Sequence, residues 1–130
     1  MIRRALLEQC AVNSSPGEAL IIDTGWGRKW NEDGYVLTCP NFAPDAIEWI
    51  IERKPGILGV DVPCIEGSWS EDDESQKGGL LGVLFEQGTI LVAPLVNLWN
   101  VHVNSGTLYC APLPLKGTSG APARVFIEVN

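Results

Sequence analysis

Histidine is nearly missing from this sequence. The 130 residues contain one, His102. A metal site built on two or more imidazoles therefore cannot come from a single copy of the chain. Positive charge is also scarce: 9 Lys and Arg stand against 16 Asp and Glu, a formal net charge of −7. The basic residues come in ones and twos (Arg3 and Arg4, Arg28 and Lys29, Arg53 and Lys54). No basic stripe is available to track a phosphate backbone or an anionic lipid surface, so nucleic acid and membrane are excluded as expected partners. Long apolar runs are absent too. The longest, Ile90–Val96, has seven residues and includes Pro94, far short of a bilayer span. The opening Met1–Glu8 is basic at its start, but Glu8 and Gln9 end its apolar stretch too early for a signal peptide. The four cysteines (Cys10, Cys39, Cys64, Cys110) show no C-x-x-C spacing. Reduced thiols in a cytoplasmic protein are expected.

What is present is a globular composition, 45% hydrophobic and 19% charged. A chain of this length is expected to fold as one domain, 1–130. Ile2, Leu6, Leu7, Cys10 and Ala11 fall at helical spacing, and Asn13 to Gly17 break the pattern. Ala19–Asp23 reads as a buried strand. Thr24–Gly34 is a loop with Trp26 and Trp30 among glycines. The clearest helix starts at Pro44, a residue suited to the first helical position. Asp45 and Glu48 match the positive end of its dipole, Arg53 and Lys54 the negative end, and Pro55-Gly56 stops it. Ile57–Val62 is a second strand. Pro63–Gly79 is a long acidic connection. Leu80–Glu86 reads as a short helix ended by Gly88, and Thr89–Val96 as a third strand bent by Pro94. Asn97–Asn104 is ambiguous. Thr107–Ala111 and Ala123–Val129 are strand-like, and their Gly- and Pro-rich connection favours antiparallel pairing. Strands alternating with helices point to a largely parallel sheet elsewhere. The fold class is α/β, with a mixed sheet or partial barrel and a few helices.

Three segments together resemble the cyclase family of metal-dependent hydrolases, which includes kynurenine formamidase. They are Gly17–Trp26 (GEALIIDTGW), Gly59–Val62 (GVDV), and Gly88–Leu98 followed by Pro112–Gly117 and Gly120–Arg124. The resemblance runs from Ile2 to Val129 and corresponds to the C-terminal part of a typical member. It implies a swivelling β/β/α fold and hydrolysis of amides or related bonds with a bound divalent metal, zinc or manganese. Such a metal polarises a carbonyl and supplies hydroxide. The family's hallmark motif, H-x-G-T-H-x-D-x-P-x-H, is missing. Its later pattern, H-x-x-L-[LF]-x-x-G-x-x-x-x-E-N-L, aligns through Leu84, Phe85 and Gly88. The family's His then falls on Leu81 and its Glu on Ala93, neither of which offers a lone pair. The resemblance therefore implies a cyclase-like chain that has lost its zinc chemistry, holds no metal and binds a small ligand or partner. The alternative is a hydrolase using other ligands or a second polypeptide.

The candidate ligand-binding residues are Asp61, Cys64, Glu66, Trp69, Leu81, Ala93 and Trp26. Asp61 ends a predicted strand, where ligands bind in open α/β sheets; the plainer reading is a carboxylate capping a nearby turn. Cys64 is a catalytic thiol only if a base lies beside it, and otherwise a half-buried thiol. Glu66 and Trp69 line a pocket or simply pack in a loop. Trp26 and Trp30 read equally as an aromatic wall for a planar ligand or as a subunit contact. Trp49 and Trp99 read as core or interface. His102, between two valines, reads as structural or surface. Glu71–Glu74 lacks the spacing of a calcium loop, and Thr118-Ser119-Gly120 is a turn rather than a phosphate loop. The apolar composition and the missing family segment predict self-association, at least to a dimer.

Overall fold

The computed structural model describes residues 1–10, 12–66 and 80–129, and the account below concerns these. Trp69 and the Glu71–Glu74 run lie outside them. The chain forms two compact units, Met1–Trp99 and Asn100–Asn130. Among the described residues no helix is long and apolar enough to cross a membrane.

The first unit is built on three parallel strands: β1 (Ala19–Ile22), β2 (Ile57–Val60) and β3 (Ile90–Val92), in the order β1-β2-β3. Ile22 pairs with Val60, and Gly59 with Val92. Three helices accompany them: α1 (Arg4–Glu8), α2 (Pro44–Arg53) and α3 (Leu80–Glu86). Both α1 and α3 pack on α2. The expected signals frame α2. Pro44 opens it, Asp45 lies in its first turn and Arg53 in its last, and Lys54 ends it in the left-handed region at φ 49°. Its Ala46, Ile47, Trp49 and Ile50 are buried against Leu20, Leu58 and Val60 of the sheet. Each fully buried isoleucine contributes roughly 2 kcal/mol of transfer free energy.

Two glycines set the spacing of the sheet. A Cβ on Gly56 would collide with the Gly17 carbonyl oxygen. That close approach lets Gly17 N–H donate to Lys54 C=O at 2.9 Å and Gly56 N–H to Glu18 C=O at 3.0 Å. A Cβ on Gly59 would collide with Ile21 Cδ1 and come within 2.9 Å of Leu95 Cδ1.

Two elements differ from the sequence reading. The helix expected over Ile2–Ala11 is only Arg4–Glu8. Ile2 is instead extended and bridges Phe42, donating to Asn41 C=O at 2.7 Å and accepting from Ala43 N–H at 2.8 Å. The third strand stops at Val92 rather than Val96. Pro94 has no N–H for the ladder, and the chain turns so that Leu95 N–H donates to Val60 C=O at 2.8 Å. The ambiguous stretch after Asn97 contains a 3₁₀ turn, Leu98–Asn100.

The second unit is a hairpin. Its strands β4 (Thr107–Pro112) and β5 (Ala123–Glu128) pair antiparallel, as their connection suggested. Tyr109 and Phe126 stack across them with centroids 4.7 Å apart. Tyr109 Oη also donates to Glu128 Oε2 at 3.0 Å. His102 belongs to this unit and is exposed.

Candidate functional site at the carboxyl edge of the parallel sheet

The residues that immediately follow the three parallel strands are Asp23, Asp61 and Ala93. The register places Asp23 beside Asp61, while Ala93 falls level with Val60, one residue short of Asp61. This is the edge where open parallel sheets present ligand groups.

Asp61 is 1% exposed, and its carboxylate is committed within the chain. Oδ1 accepts the Thr24 N–H at 3.0 Å and the Thr24 hydroxyl at 2.7 Å. Oδ2 accepts the Gly27 N–H at 3.0 Å. The Asp61 carbonyl accepts the Tyr35 hydroxyl at 2.9 Å. A buried carboxylate is tolerated only when so satisfied. Asp61 thus clamps the Thr24–Gly27 turn, the capping role. Gly27 has to be small: a Cβ there would stand 3.2 Å from Asp61 Cβ and 3.2 Å from the Leu95 carbonyl oxygen.

Asp23 is the partner that sequence reasoning missed. Its Oδ1 accepts the Gly25 N–H at 2.9 Å, with Gly25 in the left-handed region at φ 79°. Burial pushes the Asp23 carboxyl above its ordinary value, and the Gly25 N–H opposes that shift. Asp61 raises it further by hydrogen bonding and by charge, while Arg28 pulls it down. The available signal was its position: it follows β1 as Asp61 follows β2.

Trp26 lies in the clamped turn. Its indole N–H donates to Tyr35 C=O at 3.0 Å, and its ring stacks on Tyr35 at 6.4 Å. Lys29 Nζ sits 4.6 Å from the Trp26 ring centroid. Trp26 packs against the core, whereas Trp30 meets Tyr35 edge-on at 5.5 Å and stays 50% exposed. Trp49 is core. Trp99 is half-buried beneath Arg28, whose guanidinium lies 5.5 Å from the ring centroid.

Glu66 and Leu81 are brought together. Glu66 is buried, and its Oε1 accepts the Leu81 N–H at 2.8 Å, anchoring the first turn of α3. The Leu81 side chain packs against the core. Cys64 is half-buried in the loop between Asp61 and Glu66. Ala93 is exposed at the end of β3.

The family model described as "Putative cyclase" matches residues 1–67, more than half of the chain. The chain belongs to the cyclase family. The match covers the first two resemblance segments; the third, from Gly88, lies beyond it. Solved structures extend the likeness along the rest of this cyclase-family chain. A potential metal-dependent hydrolase with cyclase activity is 25% identical, with TM-score 0.76, covering 97% of this chain and 57% of that one. Isatin hydrolase A from Ralstonia solanacearum is 22% identical, with TM-score 0.73, covering 99% and 53%. A predicted metal-dependent hydrolase from Bacillus stearothermophilus is 21% identical, with TM-score 0.70, covering 97% and 56%. The chain therefore spans little more than half the length of these structures. No curated protein sequence matches it.

The metal these family names imply does not fit the donor set of this edge. Leu81 and Ala93 offer no donor atom, and both Asp61 oxygens already accept hydrogen bonds. Among the described residues no three of His, Cys, Asp or Glu gather as a metal group.

Proposed function

We propose that this chain is a cyclase-family module that has given up metal-dependent hydrolysis and serves to bind a small ligand or a partner. The observation that carries the reading is the set of residues that follow the three strands at the carboxyl edge of the sheet, Asp23, Asp61 and Ala93. Its central carboxylate is consumed by the Thr24–Gly27 turn, and its third member has no donor. Such an edge keeps its architecture while lacking a ligand set. The turn with Trp26, Lys29 and Arg28 supplies aromatic and cationic groups suited to a planar, anionic ligand. The reading places the protein in the cytoplasm, in keeping with four free thiols.

Self-association to at least a dimer belongs to the same reading. Parallel sheets are buried on both faces, yet Ile90 of β3 is 60% exposed, and Val36 and Leu37 are exposed as well. Light scattering at micromolar concentration is expected to report a dimer or larger; a monomer contradicts it.

A second reading is hydrolysis of N-formyl or cyclic amides, with zinc or manganese held by another polypeptide or by other residues. The chain's coverage of 53–57% of its structural neighbours favours keeping it in view. The two readings separate in one assay of hydrolysis with and without added zinc or manganese. The first predicts no turnover under either condition; metal-stimulated turnover overturns it.

A further inference from the structure

The hairpin of the second unit has two unequal faces. Side chains alternate along its strands, and the register groups them. One face carries Leu108, Cys110, Val125 and Ile127, all half-buried. The other carries Thr107, Tyr109 and Ala111 of β4 and Arg124, Phe126 and Glu128 of β5, all exposed. Tyr109 and Phe126 form its centre, 43% and 49% exposed and nearly parallel, at an interplanar angle of 11°. Tyr109 Oη donates to Glu128 Oε2 and so keeps that carboxylate on this face. Glu128 lies two residues to one side of Phe126, and Arg124 two residues to the other. A two-stranded hairpin is marginally stable on its own, and among the described residues from 100 to 129 none is buried. Covering the aromatic centre removes apolar area from water and stabilises the hairpin.

We propose that this exposed face is where two copies of the chain meet, face to face with their strands antiparallel. This contact presupposes the self-association proposed above and gives it a surface. The face is its own complement. A two-fold axis crossing both strands at Tyr109 and Phe126 sets Phe126 on the partner's Phe126 and Tyr109 on the partner's Tyr109. The same rotation exchanges the two ends of β5. Arg124 then faces the partner's Glu128, and Glu128 the partner's Arg124, so the contact is isologous and holds two ion pairs. At the ends of β4, Thr107 meets the partner's Ala111, and both are small. Aromatic residues and Arg are the types that carry binding energy at such surfaces. Charge elsewhere in the chain points the same way. Fifteen of the 16 Asp and Glu precede Asn100, whereas the second unit holds Lys116 and Arg124 against Glu128. Two copies at −7 each repel, and the second unit is the one without an acidic excess.

The test is sedimentation equilibrium of the full chain and of charge-reversed variants. Arg124→Glu and Glu128→Arg each set like charges opposite each other twice per dimer, and each is expected to raise the dimer dissociation constant about tenfold. The double variant Arg124→Glu/Glu128→Arg rebuilds both pairs in reverse and is expected to return it to within about threefold of the parent value. Should a reversal not fold, Phe126→Cys tests the same contact. Mild oxidation is expected to link two of its chains through position 126, as read by mass spectrometry of the peptides. Unchanged dimerisation in both single variants, or a double variant as weak as the singles, overturns the proposal while self-association stands. So does a Phe126→Cys dimer that oxidation fails to link through position 126. A monomeric parent chain overturns the self-association as well.

Discussion

The Gly27 backbone N–H donates to Asp61 Oδ2 at 3.0 Å, across 34 positions of sequence. The contact is possible because Gly27 brings no side chain against Asp61 Cβ or the Leu95 carbonyl. It joins the turn after β1 to the end of β2, and so makes Asp61 a structural carboxylate. Replacing Asp61 by Ala strips the acceptor from two backbone N–H groups and the Thr24 hydroxyl. The expected loss is about 3 kcal/mol, less than the sum of separate deletions since the turn relaxes. Asp61→Asn leaves a donor facing a donor on one side and is expected to cost about 2 kcal/mol. Urea unfolding checks both; a loss below about 0.5 kcal/mol for Asp61→Ala would remove the clamp from the account.

Gly59 tests the packing of the sheet's second face. Gly59→Ala drives a methyl into Ile21 Cδ1 and Leu95 Cδ1, and is expected to cost about 1–3 kcal/mol. Pairing it with Leu95→Ala should recover part of that loss, since one of the two obstructing side chains is then shortened. Equilibrium unfolding of the double mutant measures the recovery.

Asp23 gives a pH dependence of definite sign. Its folded carboxyl is raised above the ordinary value of 3.8, first by burial and then by Asp61. The folded chain therefore holds this proton to a higher pH than the unfolded chain does. The charged form is penalised only in the folded state. Stability from this group is full below pH 3.8 and falls as pH rises through the raised value. Asp23→Asn is expected to be the more stable form at neutral pH, with the difference vanishing in acid. Asp23 is largely exposed, so solvent screening holds the gain to about 0.5 kcal/mol. Unfolding curves of both proteins across acid and neutral pH read the difference directly; a variant less stable at neutral pH would contradict the cause assigned to the shift.

Glu66 anchors α3 through one bond, to the Leu81 N–H at 2.8 Å. Glu66→Ala is expected to cost about 1 kcal/mol, the value of a lost helix cap. Glu66→Gln, which keeps an acceptor oxygen, should cost less. Hydrogen exchange at Leu81 is the local readout, and exchange unchanged in the alanine variant would count against the anchor.

Much of the fold was legible because its signals are local. Pro44, Asp45, Arg53 and Pro55-Gly56 mark α2 within a dozen residues, and α3 was read at its observed limits. The apolar runs of β1 and β2 and the antiparallel β4–β5 pair were legible for the same reason. Ile2 was misread because its partner, Phe42, is 40 positions away, and helical spacing says nothing of that. The capping role of Asp61 was one of two open readings; its donors come from a turn 34–37 positions earlier. Asp23 was invisible as a site residue without the Ile22–Val60 register. The expectation that Leu81 and Ala93 stand at the family's ligand positions comes from the family pattern alone, since a leucine and an alanine carry no signal of their own.

The central claim is that this chain does not assemble its family's metal centre from its own residues. Zinc and manganese measured by plasma mass spectrometry in the freshly purified protein test it most directly. The account predicts far less than one metal ion per chain, unchanged after incubation with either metal and desalting. One tightly held zinc or manganese per chain would contradict it.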